Sequence, residues 1–412
     1  MGRQQHEIWW IVGICIILLV GALIIQWIKH GENIRRDKAP YNIVSTLKGN
    51  GQNSRAFTWF TVDPKAAGLV QIAEGTDPDK LNNTASQMTT FQAASSETTY
   101  TKDSRRGVHK AEVTGLKPGT TYVYRVGSGK EEEWSEAYTF TTEGELEDHF
   151  TFINVTDTQG ETKADFTLWG RALDKAAATF PNARFIIHNG DLTEDPEDES
   201  AWDFFFEQTK GRLAQIPLMP VVGNHDEIDG NADRFVEHFN LPDNGDEGSI
   251  PGTSYSFDYG QVHFAVLNTE SNIRGQLKWL EKNLQSTDQL WTIVAIHRPA
   301  YGGNSYDKIE KWIEIFDEYD VDLVLQGHNH EYSRSYPLRD GEIVNEGEGT
   351  VYVTTNAAGQ KFNDMKSDKF YHAVHFQNYK QMFAGITVNG NVLTYQAYDV
   401  DGKKLDEFVL KK

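Results

Sequence analysis

Cysteine is nearly missing from this chain: Cys15 is the only one in 412 residues. One thiol excludes an intrachain disulfide framework and any cysteine-based zinc site, and it fits both a cytoplasm and a disulfide-poor exterior. Positive charge is scarce too. Lys and Arg total 39 against 60 Asp and Glu, a net charge of −21. Without a basic footprint to neutralise phosphates, non-specific nucleic-acid binding is excluded. A small phosphorylated substrate is not, because a bound metal reverses the local field. What the chain does have is apolar mass. It is 39% hydrophobic and 12% aromatic, enough for sizeable cores and against wholesale disorder. At roughly 100–200 residues per domain, its length gives two or three units. None of these patterns encodes an oligomeric state.

Residues 8–28 form one apolar run, broken only by glycines and Gln26. As a helix it spans roughly the 30 Å hydrocarbon layer. Trp9, Trp10 and Trp27 stand at its ends, where indoles prefer the interface. The alternative is a signal peptide cleaved after Val20-Gly21-Ala22. Apolar residues continue beyond that point to Ile28, so cleavage would leave an apolar terminus; the expectation is an uncleaved transmembrane anchor. Lys29, Arg35, Arg36 and Lys38 against Arg3 would keep the body of the protein in the cytoplasm by the positive-inside rule.

Residues 40–142 read as an all-β module. Arg55 to Thr61 and Thr121 to Gly127 alternate, and Lys117-Pro118-Gly119 is turn chemistry. In the first of these runs Phe57 and Trp59 fall on the face opposite Ala56 and Phe60. About 100 residues of this kind suggest a β-sandwich. His109 reads as a structural strand residue, and the acidic stretch 143–148 as a linker.

In residues 150–412, five short apolar runs each lead into residues that bind metals. They reach Asp157; Asp191 in Gly190-Asp191; Asn224-His225-Asp226; His297; and His328-Asn329-His330. Phe166, Trp169 and Leu173, like Leu277, Leu280 and Leu284, have helical spacing between such runs. The pattern by itself describes an α/β domain with its site beyond the carboxyl ends of strands. His188 and His263 lie inside strands and read as structural; His372 and His375 lie in an aromatic-rich segment near the C-terminus.

In this order the blocks resemble the signature of the calcineurin-like metallophosphoesterases. Ala295 to Tyr301 and Gly327 to Pro337 resemble the purple acid phosphatase branch. Residues 109–127, with Trp134-Ser135 and Phe140-Thr141-Thr142, resemble its fibronectin type III-like N-terminal domain. The resemblance implies a catalytic β-sandwich core flanked by helices rather than a plain doubly wound sheet. It also implies two metal ions (Fe, Mn or Zn) that neutralise a phosphate ester and lower the pKa of a bound water. By the same resemblance Asp191 bridges the ions. Asp157 and His330, with Gln159 as a possible extra, hold the first; Asn224, His297 and His328 hold the second. His225 is left to stabilise charge or protonate the leaving group, with Asp226 orienting its ring, and Arg298 to pair with a phosphate oxygen.

Two departures stand out. The tyrosine that gives purple acid phosphatases their colour, three residues after the second-block aspartate, is here Glu194. The first block is Asp157-Thr158-Gln159, where many relatives have Asp-x-His, and an amide suits a harder ion such as manganese. The expectation is a membrane-anchored phosphoesterase acting on small phosphorylated substrates, phosphomonoesters first. A phosphodiesterase, a nucleotide pyrophosphohydrolase and a degenerate, non-catalytic adhesion protein are the alternatives. The family is mostly secreted, which opposes the charge rule and places the catalytic domain outside the cell.

Overall fold

The computed structural model describes residues 38–82 and 88–412. The expected anchor at 8–28 lies outside the described residues. Among those described, no helix is long and apolar enough to cross a membrane.

The N-terminal module is a sandwich of two four-stranded antiparallel sheets. One sheet runs in the order Tyr41–Thr46, Ser54–Thr61, Ser104–Thr114, Ala94–Thr101; the other Thr89–Gln92, Leu69–Glu74, Thr121–Gly127, Tyr138–Thr141. Phe57, Trp59, Val70, Tyr124 and Phe140 fill the space between them. The alternation expected for residues 55–61 is present, yet every residue of Ser54–Thr61 is buried. The reason is the second face: Phe60 packs on His238 of the C-terminal domain, with ring centroids 4.8 Å apart. His109 is structural as expected. Its ring bonds Thr61 and Ser95 and stacks on Trp59.

The C-terminal domain is also built on two facing sheets. The six-stranded sheet begins with three parallel strands, Leu218–Pro220, Ala183–His188 and His149–Val155. It continues antiparallel through Met382–Asn389, Val392–Asp399 and Lys404–Lys411. The seven-stranded sheet carries Val262–Val266, Trp291–Ala295, Leu323–Gln326 and Val351–Thr354 as its parallel centre. Period-two alternation sorts its side chains. Ile293, Leu323 and Leu325 face the other sheet, where Phe264 meets Phe152 edge-on at 5.3 Å. Val294 and Val324 face the opposite way, toward Trp312 and Leu280.

Trp312 belongs to helix Glu310–Glu318 and Leu280 to helix Gln276–Gln285. Helix Lys163–Thr179 covers the other sheet. It starts at a capping box in which Thr162 and Asp165 satisfy each other's backbone amides. Its Trp169 stacks on Phe205 of helix Glu199–Gln208. A β-sandwich between helices is thus what forms. The doubly wound sheet that periodicity alone suggests is excluded by the three C-terminal antiparallel strands, which pair along Ile153 and extend the first sheet.

Candidate metal centre

The parallel strands deliver their polar residues to one end of the sandwich. Asp157, Asp191, His328 and His330 all sit at positive φ, between 51° and 71°. Non-glycine residues rarely hold this conformation, and where they do so together the surrounding structure has over-determined it. Gly190 (φ +92°) permits a close approach, because a Cβ there would lie 2.9 Å from the Gly223 backbone and 2.7 Å from His297 Nδ1. Asn189 ties the strand ends together. Its Nδ2 donates to the carbonyls of Ile296 and Leu325 at 2.9 and 2.8 Å.

Two ligand groups form, and they share Asp191. Asp191, His297 and His328 offer atoms within 4.8 Å of one another, and so do Asp157, Asp191 and His330. His297 donates Nδ1–H to the Asn189 carbonyl at 2.7 Å. That leaves Nε2 facing Asp191 Oδ2 and Asn224 Oδ1, each at 3.2 Å. His330 likewise donates Nδ1–H to the Lys361 carbonyl at 2.8 Å and turns Nε2 to Asp157 Oδ1 at 3.3 Å. A metal-binding histidine uses its second nitrogen in this way, which fixes tautomer and ring plane.

Burial lowers His328 to about 3, with His297 and Arg298 adding to the effect, so its imidazole is neutral and can ligate. Burial would raise Asp191; His297 and His225 override it and hold the carboxylate well below its usual range. For His297 burial lowers and Asp191 raises, and the carboxylate prevails, to about 10. At His297 alone, then, the neighbouring Asp191 carboxylate draws a proton onto a buried imidazole.

The donor set fits two transition-metal ions: imidazole nitrogens, carboxylates and an amide oxygen, with one carboxylate in common. Gln159 fits as well. It is 1% exposed, and both polar atoms of its side chain are buried without a hydrogen-bond partner. Its own backbone amide is held by the Asp191 carbonyl at 3.1 Å, which keeps it beside the shared ligand.

One expected role does not hold. Asp226 does not orient the His225 ring; its carboxylate accepts backbone amides of Asp191, Leu192 and Gly223 at 2.7–3.0 Å. It clamps two ligand loops together. The His225 ring is held by the Glu194 carbonyl, which accepts from Nδ1 at 2.7 Å, so Nε2 is the nitrogen open to substrate. The Glu194 carboxylate lies 3.7 Å from the same ring. Arg298 reaches the site. Its Nη1 is 3.3 Å from His328 Nε2, while its Nε is clamped by both oxygens of Glu270 at 3.0 and 2.9 Å. The turn after Thr355 borders the centre, donating the Gly359 amide to the Asp157 carbonyl. His188 and His263 are structural, bonded to Thr158 and to Asp258 and Asn283 respectively.

Sequence reasoning singled out His372 and His375 but missed Glu270 and the contribution of Lys361 and Gln377 in segment 361–377. That segment supplies the Lys361 carbonyl and the Gln377 amide, which donates to the His330 carbonyl at 2.6 Å. Neither carries a motif; only an acid near an arginine in space reveals the first.

Comparison with known proteins matches both domains. Residues 40–142 match the purple acid phosphatase N-terminal domain, and residues 150–332 the calcineurin-like phosphoesterases. Acid phosphatase type 7 of Mus musculus is 26% identical over 294 residues, which cover 61% of this chain and 64% of the relative. Probable inactive purple acid phosphatase 1 of Arabidopsis thaliana is 23% identical over 360 residues, 74% of this chain and 58% of the relative. The chain therefore spans less than two thirds of these two relatives. The structure of purple acid phosphatase PPD1 from yellow lupin (Lupinus luteus) seeds superposes with a TM-score of 0.75 at 18% identity, covering 91% of this chain and 74% of that one. That likeness concerns the fold. With both domains matched in tandem and the ligand blocks brought to one place, residues 40–142 are a purple acid phosphatase N-terminal domain and residues 150–332 a calcineurin-like phosphoesterase domain.

Proposed function

We propose that this protein hydrolyses phosphomonoesters at a dinuclear metal centre outside the cell, tethered by residues 8–28. The observation that carries the chemistry is the shared Asp191, common to two separate His/Asp ligand groups. Asp157, His330 and Gln159 serve one ion; Asn224, His297 and His328 serve the other. When bound, such a pair neutralises the ester's charge and lowers the pKa of an attacking water. The chain's own residues do the rest. Arg298, locked by Glu270, presents its remaining guanidinium nitrogens to a phosphate oxygen. His225, its ring fixed through Nδ1, offers Nε2 to the leaving-group oxygen as a proton donor.

A chromogenic panel of phosphomonoesters and phosphodiesters, with Mn, Fe or Zn added back, tests this reading. Monoester turnover is expected to lead. Leading diester turnover would make the protein a diesterase. No turnover with any metal would align it with the relative named as probably inactive. Because Glu194 replaces the tyrosine, an iron-loaded sample is expected to lack the purple charge-transfer band. The tether and outside placement predict that protease added to intact cells digests the domain; survival until the membrane is opened would place it inside. The dilution of Arg35 and Arg36 by Glu32 and Asp37 supports the outside placement against the charge rule.

A further inference from the structure

A second set of ligand-type side chains lies outside the centre described above. Asp368, His372 and His375 offer atoms that all fall within 4.8 Å of one another. The two histidines are three apart, and in a regular strand that spacing sends side chains to opposite faces. Here it does not. Strand His372–Phe376 pairs with Tyr332–Ser335, and the register slips: Arg334 faces Val374 but Ser335 faces His372. The extra residue at Ala373 is a bulge that returns both rings to one side, with centroids 4.2 Å apart.

The rings are also set up as ligands. His372 Nε2 lies 3.2 Å from the Gly302 carbonyl, which as a pure acceptor takes the proton there. His375 Nε2 lies 3.4 Å from a carboxylate oxygen of the fully buried Glu331. Both His375 Nε2 and Glu331 Oε1 are buried with no hydrogen-bond partner of good geometry. With Nε2 of each ring turned to an inner acceptor, the lone pair of each falls on Nδ1. His375 Nδ1 is 2.7 Å from Asp368 Oδ1, and His372 Nδ1 accepts from the Lys369 amide at 3.2 Å. His297 and His330 divide their nitrogens in the same manner, with one on an inner carbonyl and the other on the ligand group.

We propose that His372 Nδ1, His375 Nδ1 and the Asp368 carboxylate bind a zinc ion, with Glu331 and the Gly302 carbonyl orienting the two imidazoles. Two imidazoles and one carboxylate with a fourth position open to water are a zinc donor set. The ion has a structural task. Residues 361–370 contain no helix or strand, and their Met365 and Phe370 are exposed. Yet this segment supplies the Lys361 carbonyl that holds His330, and Asn363, which donates to the Asn329 carbonyl at 2.9 Å. A zinc ion at Asp368 staples the segment to the strand behind it and so fixes the ring of a ligand in the main centre.

The test counts zinc in the full-length protein after equilibration with excess Zn²⁺ and removal of free ion. Asp368 is the variant of choice, since its side chain is 75% exposed and Asp368→Asn keeps its shape. Asp368→Asn and His375→Gln are each expected to carry one zinc fewer than wild type, and chelator is expected to lower the Tm of wild type more than that of Asp368→Asn. Asp191→Ala is expected to retain this ion, which separates the proposal from any failure of the catalytic centre. Equal zinc content in wild type and Asp368→Asn would overturn it.

Discussion

The junction between the two domains and the metal centre both bury several charges, and they neutralise them by opposite means. At the junction, acids of the catalytic domain meet arginines. The buried Arg106 of the sandwich pairs with Glu199 and Asp203, and its guanidinium covers the Phe60 ring at 4.0 Å. Arg234 pairs with Glu197, Glu199 and Glu237. Each of these acids finds its counter-charge on another side chain. At the centre, the ion-pair partners of Asp157 and Asp191 are histidines, and the side chain of Gln159 has no hydrogen-bond partner. Breaking a buried pair leaves a stranded charge in either place. The junction closes its ledger with protein atoms and therefore serves stability. The centre does not, and so it calls for ions.

Asp191→Ala should give the largest effect. The shared ligand is lost, so metal content should fall together with turnover, the latter by roughly 10³-fold, while the sandwich stays folded by circular dichroism. Arg106→Ala should do the reverse. Stability should drop by about 3–5 kcal/mol in denaturant titration, with the metal content of the folded fraction unchanged.

Glu143 sharpens the contrast from the junction side. Burial pushes its carboxyl up to about 7, against one hydrogen bond from the Gly260 amide. Its folded pKa thus exceeds its unfolded value. The native state holds a proton that the unfolded chain releases, and stability is lost as pH rises from about 4.5 to about 7. The loss is on the order of 3 kcal/mol, and Glu143→Gln should remove this part of the pH dependence of Tm. The smallest effect should come from His225→Ala. It should slow esters with poor leaving groups by about 10²-fold and keep metal content near wild type. Loss of metal in that variant would make His225 a ligand.

The two regions were also unequally legible in the sequence. The centre announces itself because the ligand blocks follow apolar strands, and three of them carry a glycine next to a ligand, Gly190, Gly223 and Gly327, each too close to a neighbour to take a side chain. The junction is silent: Arg106 and Glu199 are 93 residues apart, and nothing local marks either. Asp226 misled for a physical reason. It adjoins His225 in sequence, but its carboxylate turns back to the amides of Asp191 and Gly223, whereas the ring turns to Glu194. The fold's last three strands join the first sheet from the far end of the chain, a pairing that period-two alternation cannot assign to a partner. The bulge at Ala373 was hidden for the same reason, since register exists only once the partner strand is known.

The most direct test of the account is a side-by-side elemental analysis and phosphomonoester assay of wild type and Asp191→Ala. The shared carboxylate predicts a difference close to two metal ions per chain, with turnover present in wild type and lower by roughly 10³-fold in the variant. Equal metal content in the two proteins, or two Asp191-dependent ions in a wild type that turns over no phosphate ester, would contradict it.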